Sequence, residues 1–299
     1  MSGRRAEPNY HGRQLLRELR KLRFQAGLSQ QEAGERAHID HSKLSRIEQQ
    51  QVPTYHELVI LLDVYGVLSC DLTPYFDLWE LAKRRGWWRE YTSADHSYLC
   101  MEDEADVKKE FQLGHLPTLL QTEKYARTAL TTNSRSTKTT DKLVALRMRQ
   151  QQRLHAERTL SLHALVHEAV LRQSSVDRAQ LTLLLQRAEL STVTIQIVPE
   201  RLLHEALQGS VILLSFDDPA EPDIAFADTP LGLAQTHDPR RTATITRTLD
   251  RLTSLAMSPA DSCALLAAHR QAKSRGAGCA GRGRLAVEEE TADGIGGAR

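Results

Sequence analysis

Residues 28–48 read L-S-Q-Q-E-A-G-E-R-A-H-I-D-H-S-K-L-S-R-I-E, two short helices joined by a tight turn. Ser29 can cap the first helix, and Glu32 three residues on completes a capping box. Ala33 and Ala37 are small and four apart, so a second helix can lie close against that face. His38-Ile39-Asp40 interrupts the helix, with Ile39 as an apolar plug and Asp40 as a new N-cap. Leu44 and Ile47 then face inward at i, i+3, which leaves His41, Ser42, Ser45 and Arg46 outward. Hydrogen-bonding groups on the outer face of a short rigid helix suit insertion into a major groove. The stretch reads as a helix-turn-helix.

Upstream, Leu15, Leu19, Leu22 and Ala26 repeat at helical spacing from Gly12, Gly27 closes the helix, and Arg13, Arg17, Arg20 and Arg23 are read on its outside. Downstream, Thr54 and Glu57 form a second capping box, with Leu58, Leu61, Val64 and Tyr65 inward and Gly66 at the end. A fifth helix is expected from Pro74 to Arg85. All three tryptophans lie between 79 and 88. They are read as packing between domains or subunits rather than as a base-stacking platform, because duplex DNA offers few unstacked bases.

Leu28-Ser29-Gln30, Ala37 and Leu44-Ser45-Arg46-Ile47-Glu48 resemble the Xre family, the Cro/cI-type helix-turn-helix repressors. The resemblance implies an all-α, five-helix, lambda-repressor-like domain. By the family's docking, His41, Ser42 and Arg46 would face base edges, while Gln30, Lys43 and Arg13 would contact phosphate. Leu28, Ser29, Ala33, Ala37, Ile39, Leu44, Ile47 and Glu48 would hold the motif together. Two positions depart from the family, His38 and Gln50, where it usually has glycine. A left-handed backbone suits His better than Gln, so slightly strained turns are expected.

The second half reads as α/β. Leu143, Leu146, Gln150 and Leu154 trace one helix face, and 177–190 another helix. Strands are expected at 162–167, 192–198, 211–216 and 223–227, the third of these central, with closing helices at 242–257 and 259–272. The run P-T-L-L-Q-T (117–122), with Tyr125-Ala126-Arg127, resembles a C-terminal domain of unknown function in actinobacterial WhiJ-like regulators. Arg149-Gln150, residues 167–172, Gln180-Leu181, residues 195–199 and Gly209-Ser210 continue that resemblance. The family's P-G-L-L-Q-T has Thr118 in place of glycine here. From Ser274 the chain is glycine-rich and cannot build a core, so a disordered tail is expected.

The boundaries read from this pattern are a mobile 1–11, a helix-turn-helix domain over 12–72, a connecting helix and Trp-rich linker over 73–98, an α/β effector and dimerisation domain over 99–272, and a Gly-rich tail over 273–299. The fold class is α+β overall. At 299 residues with 40% hydrophobic content the chain can build two domains. Net charge is +1, but residues 1–52 hold ten Lys and Arg against six acids, which leaves −3 for the rest. A basic end on a near-neutral chain fits a local phosphate footprint.

Cys70, Cys100, Cys263 and Cys279 show no C-x-x-C spacing, which argues against a zinc module or a disulfide framework. No apolar run suggests a membrane span and no leader is read, so a cytoplasmic protein is expected. Phosphate-loop, dinucleotide and nucleophile-elbow motifs are missing. His163, His167 and Glu168 are the most catalytic-looking trio, but no H-E-x-x-H follows. No enzyme, cofactor or metal is therefore expected. Arg147, Arg149, Arg153 and Arg158 form a cationic helix face that could take an anion or pair internally. The expected partners are double-stranded DNA and a second copy of the chain. An unknown small-molecule effector of the second domain is a further candidate. The competing reading is an antitoxin-like interaction module whose second domain holds a small partner protein encoded nearby.

Overall fold

The computed structural model describes residues 8–84, 86–92, 97–131, 136–202, 209–229 and 232–280, the side chains of 97 and 274–280 excepted. Of the expected mobile start (1–11) and Gly-rich tail (273–299), residues 1–7 and 281–299 lie outside the described residues. The chain divides into two compact units, one of 1–105 with 216–221, the other of 106–215 with 222–299.

The first unit is helical. It holds α1 (Tyr10–Gln25), α2 (Gln30–Ala37), α3 (His41–Gln49), α4 (Tyr55–Val64), α5 (Thr73–Lys83) and α6 (Ser97–Glu104). Asn9 caps α1 by accepting from the Gly12 N–H, so the helix starts two residues before the predicted Gly12. Leu15, Leu19, Leu44, Ile47, Leu58, Leu61 and Leu62 are fully enclosed in one apolar core with Trp79. Trp79 therefore corrects the linker reading: it belongs to the domain core, its Nε1 donating to the Pro53 carbonyl at 2.8 Å. Trp87 donates to Asp103 at 3.1 Å within the same unit. The unit runs to Ala105, and α6 delivers Glu104 to accept the Tyr10 N–H at 2.8 Å.

The second unit is a mixed six-stranded sheet with helices. It contains β1 (Val107–Gln112), α7 (Glu123–Thr131), α8 (Thr137–Gln150), β2 (Ser161–His167), α9 (Arg178–Ala188) and β3 (Val193–Val198). There follow β4 (Val211–Ser215), β5 (Ile224–Thr229), β6 (Gly232–Thr236), α10 (Pro239–Leu255) and α11 (Pro259–Ala280). The strand order is β3-β2-β1-β4-β5-β6, with β1, β2 and β3 parallel and the remaining pairings antiparallel.

Two strands were not anticipated. β1 reads V-K-K-E-F-Q, too charged for an interior strand by pattern, yet Lys108 and Glu110 are buried and 3.1 Å apart as an ion pair. β6 is short and glycine-led. On one face of the sheet, Phe111, Leu165, Val198, Leu213 and Ala225 pack with Leu249 and Leu252 of α10. The backbone of α11 continues to Ala280, beyond the expected helix end at 272.

Candidate nucleic-acid interface

The turn between α2 and α3 is built from local geometry. Ser29 and Glu32 exchange both bonds of a capping box at the start of α2. His38 takes the left-handed conformation, φ 53° and ψ 36°, and the Ile39 N–H returns to the Gly34 carbonyl at 2.8 Å. Gly34 matters here although the sequence reading passed over it, since a Cβ would sit 2.7 Å from the Ile39 carbonyl oxygen. Asp40 caps α3 by accepting from the Ser42 and Lys43 N–H groups. Gln50 has φ −156°, so the second expected left-handed turn does not form.

α3 has two distinct sides. Leu44 and Ile47 are buried on the core side, as are Leu28, Ala33, Ala37 and Ile39 of the flanking segments. His41, Ser42, Arg46 and Gln49 are exposed on the other. The Arg46 Nε donates to the Ser42 carbonyl at 3.2 Å, which lays its side chain back along the first turn. Gln49 donates to Ser45 at 3.1 Å. It shares the exposed side, and its spacing of three from Arg46 would have revealed it.

Beneath that ridge lies an ion pair. Arg23 and Glu48 are 5% and 2% exposed. Arg23 donates from Nε and one terminal nitrogen to the two Glu48 oxygens at 2.6 and 2.9 Å, and from the other to the Leu28 carbonyl at 2.8 Å. The bonds to Glu48 hold the guanidinium pKa above its ordinary value. Arg23 is thus not on the outside of α1, as its place among four arginines suggested; it lies a turn beyond Leu19, on the inward stripe. Tyr65 nearby is pushed up by burial, with the Glu48 carboxylate adding to the shift.

The phosphate-contact candidates are dispersed. Gln30 donates its side-chain N–H to Glu48 at 2.7 Å, leaving its backbone at the N-terminus of α2. Lys43 pairs with Glu57 while staying partly exposed. Arg13 lies elsewhere in the unit, its Nε on the buried Glu221 and one terminal nitrogen on the Pro8 carbonyl at 3.0 Å. Arg17 joins it on Glu221 and also pairs with Asp218 at 2.7 Å.

In the second unit the motif residues are structural donors. Gln121 donates to the Leu116 carbonyl at 2.7 Å and Gln151 to the Gln121 carbonyl at 2.6 Å. Gln180 donates to the Leu120 carbonyl and accepts the Thr122 N–H, both at 2.7 Å. Arg147 is turned onto the Gln121 side chain at 2.7 Å, and Arg158 onto both oxygens of Asp106 at 2.8 Å. The predicted four-arginine face is therefore not one free surface. His163 bonds Gln196 at 2.7 Å, the His167 Nδ1 accepts the Ala169 N–H, and Glu168 accepts the Glu200 N–H at 3.0 Å. These three have separate partners. Burial lowers the pKa of both histidines. Among the described residues no cluster of three His, Cys, Asp or Glu could hold a metal, and no helix is long and apolar enough to cross a membrane.

With this geometry in view, comparison with known families gives two matches. A model described as a helix-turn-helix domain covers residues 14–74, and one described as a domain of unknown function (DUF5753) covers 96–268. No curated protein and no solved structure matches the chain.

Proposed function

We propose that this chain, which belongs to the DUF5753 family and carries a helix-turn-helix domain ahead of that region, is a sequence-specific transcriptional regulator of the Xre (Cro/cI) type. The observation that carries the reading is the division of α3: Leu44 and Ile47 are enclosed, while His41, Ser42 and Arg46 are exposed on a ridge capped by Asp40. Inserted in a major groove, Arg46 offers a two-pronged bond to guanine O6 and N7, with His41 and Ser42 reading neighbouring edges. The Gln30 backbone N–H at the start of α2 and the Lys43 ammonium would meet phosphate. Arg13 is left out, because a phosphate would have to displace it from Glu221.

One such module makes few base contacts, so the reading includes a homodimer on half-sites about one helical turn apart, joined mainly through the second domain. No catalytic step, cofactor or metal forms part of it, and its location is cytoplasmic, on the nucleoid. The test is selection of duplexes from a random pool by the full chain. A two-fold-symmetric sequence is expected; recovery of no preferred sequence would refute the proposal.

A further inference from the structure

Most described arginines with charged neighbours face carboxylates: Arg13, Arg17, Arg23, Arg127, Arg158 and Arg172 each do. α10 is different. Arg240, Thr244, Arg247 and Arg251 recur at i, i+4, i+7 and i+11, one face of a 17-residue helix, and all four are exposed. Arg241 flanks them. Among the described residues, the only side-chain bonds made by these arginines are those of Arg247, to the Ala243 carbonyl and the Thr244 hydroxyl.

The acids nearby are engaged elsewhere or unpaired with the stripe. Asp238 accepts the backbone N–H groups of Arg240 and Arg241 as N-cap, and Asp250 pairs with Lys109 at 2.7 Å. Asp223 lines the open groove beside Arg240, Thr244 and Arg247, and among the described ion pairs it has none with them. The buried side of the same helix, Leu249 and Leu252, fixes which way the stripe points. The unit as a whole holds 25 Lys and Arg against 19 Asp and Glu, a net charge of +6, and it leaves this cationic face uncompensated.

We infer that the α10 stripe is a second, sequence-independent contact to the DNA backbone, resting on the regulator reading above. From Arg240 to Arg251 the helix rises roughly 16 Å, more than the major groove's width of about 12 Å, so its end arginines can reach phosphates of opposite strands. Guanidinium groups match phosphate geometry in pairs and stay charged at every working pH. An acidic protein is the competing occupant, but phosphate is the anion that the rest of this chain is already built to meet.

The experiment measures binding of the full chain to a selected duplex and to a random-sequence duplex between about 50 and 200 mM salt. The triple variant Arg240→Gln/Arg247→Gln/Arg251→Gln is compared with the wild type, and Arg251→Gln alone serves if the triple variant is unstable. Each lost phosphate contact flattens the slope of log affinity against log salt by about 0.9, so the triple variant is expected to flatten it by roughly 2–3 on both duplexes with sequence preference intact. The single variant should flatten it by about 1. An unchanged slope overturns the inference and leaves the stripe to an acidic protein. Absence of sequence preference in the wild type would sink the reading of α3, while the difference in slope would still decide the stripe.

Discussion

Both units bury polar side chains against the segments their motifs name, but they do so with different chemistry. Around α3 the buried groups are ions, Arg23 on Glu48. Around residues 116–122 they are neutral amides, Gln121, Gln151 and Gln180, bonded to backbone. In the first unit the motif alternates between enclosed and exposed residues, so the same run of sequence supplies both scaffold and contact surface. In the second the motif is consumed by the scaffold. A shared motif there reports how the domain is held, and its contact surface has to be sought outside it, as on α10.

The largest expected effect comes from breaking the ionic pin. Glu48→Ala leaves the Arg23 guanidinium buried without its carboxylate, and about 3–5 kcal/mol of stability should be lost in denaturant unfolding. Replacing both partners by apolar residues of similar volume should cost far less. Equal losses for the single and double variants would show that packing, not charge, holds the pin.

The two units should also respond to pH with opposite sign. Burial pushes the Glu104 carboxyl up to about 7 from 4.5, despite Arg13, the Tyr10 N–H and the Cys100 thiol beside it. The folded chain then binds a proton that the unfolded chain has released, so this contribution falls as pH rises from 4.5 towards 7, by about 3 kcal/mol at most. His163 is depressed below 6.5 by burial, so its contribution is present above 6.5 and is lost as pH falls through the folded value. Hydrogen exchange resolved by unit checks this. Glu104→Gln should flatten only the first profile, and flattening of both would erase the contrast.

Gln180→Ala is the amide counterpart of the ionic break. It orphans the Leu120 carbonyl and the Thr122 N–H, and should destabilise the second unit by about 1–3 kcal/mol while DNA affinity is unchanged. A matching loss of DNA affinity would mean that the scaffold and contact roles are not separable.

What the sequence made legible follows the same division. The α2–α3 turn was readable because caps, small residues and apolar spacing are local signals, and Ser29, Asp40 and Thr54 all act locally. Arg23 is enclosed although its charge points to exposure, and its position four after Leu19 marks the inward stripe. β1 does not show as a strand for the same reason, its charges pointing to exposure, although Lys108 and Glu110, two apart on one face, neutralise each other within the strand. The arginine stripe of α10 has plain helical spacing, but whether a charge is paired depends on distant partners such as Lys109 for Asp250. Pairing across the fold is not a local signal.

The most direct measurement is affinity of the wild type, Arg46→Ala and Lys43→Ala for a selected duplex and for duplexes with each base pair of a half-site changed in turn. Arg46→Ala should lose about 1–3 kcal/mol and become indifferent to the base at one position, while Lys43→Ala weakens every duplex by a similar, smaller amount. Arg46→Ala weakening all duplexes equally, with every base preference retained, would contradict the assignment of the α3 ridge to base recognition.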